Sequence, residues 1–260
     1  QRWAEAFKIA EGLRQEFPTD REVLQLWHEV SSSWTAVTEP PGATLSCRPY
    51  GTRNDWTRLG TSPLDEVAVP RGFYHWKIEK DGFHHVEGCS GDQDVKLQTT
   101  LEPTTSLTGR MVHVTVSLTD READFYIDRY ETTNRQFKRF VDAGGYAKKD
   151  YWKEPFLDDG KPLSWEAAIS RFVDSTGKPG PSTWKDGTYP AAEDDYPVRG
   201  VSWYEAAAYA EFLGLSLPTM HDWQLASGAR YSARVTVESN CENDHVAKVG
   251  AYQGVGPFGT

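Results

Sequence analysis

Residues 197–223 read PVRGVSWYEAAAYAEFLGLSLPTMHDW, a run that holds two helix starts, a turn and a short apolar step. Ser202 followed by Glu205 has capping-box spacing: the hydroxyl accepts from the Glu205 amide while the carboxylate accepts from the Ser202 amide. A helix is therefore predicted to begin at Trp203. Ala206, Ala207, Ala208 and Ala210 follow, and alanine combines high helix propensity with little bulk, so another backbone can come close along that face. Gly214 ends the helix as a residue free to take positive φ. Leu215 to Leu217 is a short apolar step that Pro218 stops. Thr219, with Asp222 three positions on, caps a second helix that reaches Ser227 and is closed by Gly228.

The same signals recur upstream. Thr133 with Gln136 caps a helix carrying Phe137, Phe140 and Val141, and Gly144-Gly145 ends it. Before it, residues 111–118 alternate as a strand and residues 125–130 read as another. Asp128 and Glu131 resemble an acid–base pair in spacing. The local physics gives them a structural role instead, as carboxylates near the positive end of that helix with Arg129 or Arg135 as partners. Residues 151–196 are irregular, with Ser164 opening a helix through Phe172 and then the loop GKPGPSTW. A loop this long, anchored by Trp152, Trp165 and Trp184, is either a binding surface or a self-packed segment.

At the amino end, Trp3, Ala6, Phe7, Ala10, Leu13 and Phe17 fall at helical spacing, and Thr19 with Glu22 makes a capping box for a second helix. Val23, Leu26, Trp27, Val30 and Trp34 form the matching stripe, so residues 1–38 are predicted to be a helical hairpin. After Glu39-Pro40-Pro41-Gly42 the pattern changes to alternating segments at 43–48, 66–69, 73–80 and 95–99, which predict a small β-sandwich over 39–100. Residues 101–109 lack periodicity and are assigned as a linker, leaving 110–260 as a second domain; the fold class is α+β. His84 and His85 are adjacent, and neighbours on a strand point to opposite faces, so one metal ion could not take both.

The 260 residues carry a formal net charge of −10. That argues against nucleic acid or an anionic membrane as a partner, since both need a cationic face. No run approaches the roughly 20 apolar residues that span a bilayer, and no signal-peptide pattern opens the chain. The sequence predicts a soluble segment, with a cytoplasmic setting favoured. It begins at Gln1 and stops at Gly259-Thr260, and is read as a piece of something longer. Three cysteines, Cys47, Cys89 and Cys241, are too few for a disulfide framework and form no C-x-x-C pair.

The run at 197–223 resembles the signature of the formylglycine-generating enzyme family, also called the sulfatase-modifying factor family. There a proline-valine step leads to V-S-W, an alanine-rich helix and an L-P-T turn. DFYIDRYETTNRQFKRFVDAGGY at 124–146 is similar to that domain's opening, and the final GPFGT looks like the start of the segment before the family's G-N-x-x-E-W motif. The resemblance covers roughly 110–260 and implies an irregular fold similar to C-type lectin domains. It also implies an activity: conversion of a sulfatase cysteine to formylglycine with molecular oxygen and a copper ion held by two cysteine thiolates. Both cysteines lie after G-N-x-x-E-W in the family, beyond Thr260 here. No catalytic or cofactor-binding residue is therefore assigned, and copper is expected only if the missing pair exists.

The family's calcium loop, an asparagine side chain followed by a backbone carbonyl, aligns with Ser239-Asn240-Cys241. Asn240, Cys241, Glu242 and Asp244, with Asn243 beside them, could supply about half of the roughly six to eight oxygens calcium takes. PPGATL, GTSPL and VPRGFYHWKIEKDGF resemble a PEGA domain, and the helical hairpin is similar in outline to half of a tetratricopeptide array. The combination resembles the carboxyl-terminal region of bacterial serine/threonine protein kinases, although no kinase motif is present in these residues. The leading expectation is a non-catalytic recognition or scaffold region that binds a peptide or protein ligand and contacts other domains of its parent. The alternatives are part of a genuine formylglycine-generating oxidase and a calcium-dependent, lectin-like carbohydrate binder.

Overall fold

The computed structural model describes residues 2–53, 55–106, 111–118, 121–228, 239–241, 244–252 and 254–260, with 116–118 and 121–122 as backbone alone. The chain divides into two units. One is Gln1–Arg129 with Gln224–Glu238 and Gly254–Thr260; the other is Tyr130–Trp223 with Ser239–Gln253.

The first unit begins with helices α1 (Arg2–Glu16) and α2 (Arg21–Val30). Phe7, Ala10, Trp27 and Val30 make their shared buried cluster, with the Phe7 and Trp27 rings 4.8 Å apart. Asp20, not Thr19, caps α2: its Oδ1 accepts from the amides of Glu22 and Val23 at 2.9 and 3.1 Å. A carboxylate at this position is both an acceptor and a negative charge at the helix's positive end, which a threonine is not. The helix also stops at Val30 and does not run on to Trp34. Ser31 is extended, and its Oγ donates to the Trp27 carbonyl at 2.6 Å. Serine competes for backbone partners in this way, and the three consecutive serines at 31–33 divert the chain into strand β1 (Ser31–Glu39).

Strand β1 is the centre of a three-stranded sheet, antiparallel to β4 (Leu64–Pro70) and parallel to β7 (Val95–Thr100). The second sheet runs β3-β2-β5-β6, all antiparallel, with β2 Thr44–Pro49, β3 Thr57–Thr61, β5 Tyr74–Glu79 and β6 Val86–Ser90. Trp34, Leu45, Cys47, Val69, Trp76, Ile78 and Val95 form one core with contributions from both sheets. Trp34 is fully buried, and its Nε1 donates to Ser32 Oγ at 3.2 Å. The four strands expected from alternation appear within two residues of their expected bounds. Those missed are β1, read as a helix tail, β3, which falls between the expected segments at 43–48 and 66–69, and β6, whose VEGCS is short and holds a glycine. Of the expected linker, 107–109 lies outside the described residues. Its first part is packed, not free: Leu101 is 2% exposed and Glu102 O accepts from His84 N. The reason is that Leu101 continues the inward alternation of Val95 and Leu97.

The same unit holds the hairpin β8 (Met111–Leu118) and β9 (Arg121–Asp128), in register from Met111↔Asp128 to Leu118↔Arg121. Val112, Val114, Phe125 and Ile127 pack with Leu225, Ala226 and Phe258.

The second unit is built on α3 (Asn134–Asp142), α4 (Trp165–Ile169), α5 (Trp203–Phe212) and the start of α6 (Met220–Ser227), with a short ribbon of β10 (Leu157–Asp158) and β11 (Lys161–Pro162). Capping boxes at Thr133 and Ser202 form as the spacing predicts. Thr219 and Asp222 exchange the same pair of bonds at α6. Gly214 and Gly228 close α5 and α6 at φ 70° and 59°. Helix α4 ends at Ile169; the chain reaches Phe172 through tighter turns, with Arg171 N on Ala168 O and Phe172 N on Ile169 O. The core is aromatic, with Phe137, Phe140, Tyr146, Trp152, Phe156, Trp184 and Tyr209 packed against the fully buried Ala208 of α5.

Candidate functional site

At the start of α5, Glu205 is 3% exposed. Its Oε2 accepts from Ser202 N and its Oε1 from the Tyr146 hydroxyl, both at 2.6 Å. Burial, then the adjacent carboxylate, push the Tyr146 phenol far above its usual range, so it remains a donor to Glu205. The signature serine and glutamate thus hold the 146–152 segment against α5, where Trp152 Nε1 donates to Gly145 O at 3.0 Å.

The irregular 151–196 segment is a tied loop. Asp174 Oδ1 accepts from Thr176 N and Oγ1, each at 2.7 Å, and from Lys178 N at 3.0 Å, while Oδ2 accepts from Gly187 N at 2.6 Å. Burial alone would raise the Asp174 carboxyl. The bonds from Gly187, Thr176 and Lys178 outweigh it and hold the group at about 2. Because the folded value lies below the ordinary carboxylate value of about 3.9, the tie is present above that value and is lost as pH falls through about 2. Hydrogen exchange should therefore show the Gly187 amide protected at pH 5 and progressively exposed from about pH 4 downward. Asp174→Ala should remove that protection at every pH, and unchanged protection in the variant would contradict this account of the loop.

The loop is also tied to α3. Trp184 Nε1 donates to Asn134 Oδ1 at 3.1 Å, and Asn134 Nδ2 donates to Glu193 O at 2.9 Å. The amides of Asn134 and Arg135 take the carbonyls of Tyr196 and Asp194. These contacts correct the expected partners of Asp128 and Glu131, because the first amides of α3 are already occupied. Arg135 pairs with Asp195 at 2.7 Å, and Arg129 pairs with Glu87 at 2.9 Å. Desolvation raises the Asp128 carboxyl.

Helices α5 and α6 and the turn between them display large apolar side chains as well as burying them: Trp203, Leu213, Leu215, Met220 and Trp223 are exposed, Met220 by 78%. In the expected calcium loop, Asn240 Nδ2 donates to His245 O at 2.8 Å and its Oδ1 accepts from the Tyr252 hydroxyl at 3.0 Å. Cys241 and Asp244 are exposed there, and Glu242 and Asn243 lie outside the described residues. Among the described residues, no group of three or more histidine, cysteine, aspartate and glutamate side chains could hold a metal ion.

Copper held by two thiolates needs both sulfurs on one ion. Cys47 pairs across the sheet with Trp76, whereas Cys89 pairs with His75, so the two sulfurs occupy adjacent rows and point to opposite faces. Burial pushes both thiols up to about 12, which keeps them protonated at neutral pH. Cys241 is exposed. Cys47 and Cys89 do not fit that copper site.

Spacing could not reveal the charged cluster around Glu87, because register assembles it. His75 on β5, Glu87 on β6, His85 just before β6 and Arg129 just after β9 meet on the outer face of the four-stranded sheet. His84 and His85 are not on a strand as expected; His85 joins this cluster while His84 N bonds Glu102 O.

The family model described as the sulfatase-modifying factor enzyme 1-like domain matches residues 90–256, well over half of the chain. It begins earlier than the motifs at 124–146 and 197–223 alone suggest. The formylglycine-generating enzyme of Thermomonospora curvata is 35% identical over 119 residues, which cover 42% of this chain and 39% of that protein. A hercynine oxygenase of Mycolicibacterium thermoresistibile is 34% identical over 109 residues, 39% of this chain and 22% of that protein. The serine/threonine-protein kinase pkn1 of Chlamydia caviae is 32% identical over 108 residues, 40% of this chain and 14% of that protein. The matches therefore span well under half the length of these curated relatives. No solved structure matches the chain. With its two motif blocks on α3 and α5 and a family match over most of its length, the chain belongs to the sulfatase-modifying factor family.

Proposed function

We propose that these residues are a non-catalytic recognition and scaffold region of a larger bacterial, kinase-linked protein, in which the sulfatase-modifying-factor-type domain presents its tied loops to a peptide or protein ligand. The placement of the cysteines carries this reading. Soft-metal oxidation needs two thiolates on one ion, while Cys47 and Cys89 face opposite ways with thiols pushed up to about 12. A kinase among the relatives supports the link to signalling. The sandwich is read as a PEGA-like spacer and the second unit as lectin-like in outline. In the described residues no helix is long and apolar enough to cross a membrane.

The similarity to a formylglycine-generating enzyme favours a second reading, in which the parent protein supplies a cysteine pair elsewhere and is an oxidase. One experiment separates them. The full-length parent protein is incubated with Cu(I), oxygen and a cysteine-containing sulfatase peptide, and the peptide is weighed by mass spectrometry. Unchanged peptide is expected, and conversion of its thiol to an aldehyde would sink the recognition reading. In parallel, a peptide library displayed against the chain should yield ligands whose binding weakens at least about tenfold, or 1.4 kcal/mol, in Asp174→Ala.

A further inference from the structure

Glu87 is shared by three basic side chains. Its Oε2 lies 2.9 Å from His75 Nε2, and its Oε1 lies 2.9 Å from Arg129 Nη1 and 3.6 Å from His85 Nε2. Arg129 Nη1 is in turn 3.1 Å from His85 Nε2. A guanidinium only donates hydrogen bonds, so the bond to His85 requires a bare Nε2, and hence a neutral ring with its proton on Nδ1. We propose that His85 is a proton-operated switch on Arg129. Neutral, it accepts from the guanidinium and helps hold it on Glu87. Protonated, it presents an N–H and a positive charge to the guanidinium and takes Glu87 Oε1 for itself.

Three features make the exchange workable. Histidine is the side chain whose charge ordinarily changes between about pH 5 and 8, and His85 is half-exposed, so protons reach it from solvent. Glu87 is an anion in both states: burial raises it, but the hydrogen bond from His75 and the charge of Arg129 outweigh burial and hold it well below the usual carboxylate range. The competing acceptor positions are also limited, because Oε2 is already taken by His75, whose Nδ1 lies 3.4 Å from Arg48 Nη2.

Arg129 follows β9, and His75 lies on β5 with Arg48 behind it on β2. Glu79, Lys80 and Asp81 line, together with His85, an open groove of about 760 Å³ at the β5–β6 turn. Glu79 is itself paired with Lys77 at 2.7 Å. Arg129 is the last residue of the first unit before the chain passes to the second at Tyr130. The exchange therefore sets how firmly the end of β9 is held, which makes this contact sensitive to mild acidification.

Nitrogen-15 spectra of the intact chain test the switch. At pH 8 the His85 ring should carry its proton on Nδ1. Between pH 8 and 5.5 the Arg129 guanidinium resonance should shift along the same curve as the His85 ring. His85→Gln supplies an acceptor that takes no proton and should leave Arg129 at its pH 8 position throughout. His85→Lys should place it at the low-pH position throughout. An Nε2 proton on His85 at pH 8, an Arg129 resonance that ignores the His85 titration, or a full Arg129 shift surviving in His85→Gln would each overturn the proposal.

Discussion

Phe140→Ala is expected to destabilise the second unit by about 3 to 5 kcal/mol, the cost of deleting a buried aromatic side chain that its surroundings cannot refill. Phe140 is fully buried. Its ring lies 5.5 Å from Tyr146, 6.2 Å from Tyr151, 6.5 Å from Trp152 and 5.6 Å from Phe212, centroid to centroid. Those partners come from two separate stretches of chain, the 146–152 segment and the end of α5, and each is rigid and large, so none can swing in to fill the void. Gly145 fits the same picture: a Cβ there would collide with the Phe140 ring, which is why the chain leaves α3 through a bare glycine. Urea unfolding followed by near-UV circular dichroism should show a transition moved to markedly lower urea. A loss below about 1 kcal/mol would mean that the aromatic cluster is not the core of this unit.

Trp34→Ala is expected to cost the first unit a similar amount, about 3 to 5 kcal/mol. This variant separates two readings of one residue. On a helical stripe ending a hairpin, Trp34 would be peripheral and its loss small. At the centre of β1 it is fully buried, packs edge-on against Tyr74 with centroids 5.8 Å apart, and belongs to the core of the sandwich. The strand placement therefore predicts loss of the sandwich's cooperative unfolding, seen as broadened or missing amide resonances from β1, β4 and β7. Retention of those resonances at full stability would restore the helical reading.

The difference between these two residues shows what was legible beforehand. Phe140 follows a Thr133–Gln136 box, and a box of this kind is made by groups three residues apart, so the sequence contains both halves of the interaction. Trp34 continues a helical spacing that is correct as far as Val30. What overrides it is the pull of partner strands β4 and β7, which come from more than 25 residues away. The candidate site divides in the same way. Glu205 was readable as a cap, but its second oxygen belongs to Tyr146, 59 residues earlier in the chain. Asn240 was picked out by its place in a motif, while its hydrogen bonds to His245 and Tyr252 follow from how the loop folds back.

By itself the sequence determined the helix starts at 134, 203 and 220, the strand-rich texture after Gly42 and the family, because each rests on contacts or motifs within a few residues. Only the tertiary structure decided that Ser31–Glu39 is a strand, that Cys47 and Cys89 look in opposite directions, and that Glu87, His75, His85 and Arg129 share one cluster. Those outcomes depend on strand order and register, and a shift of one residue in register turns every side chain to the other face, which local spacing does not encode.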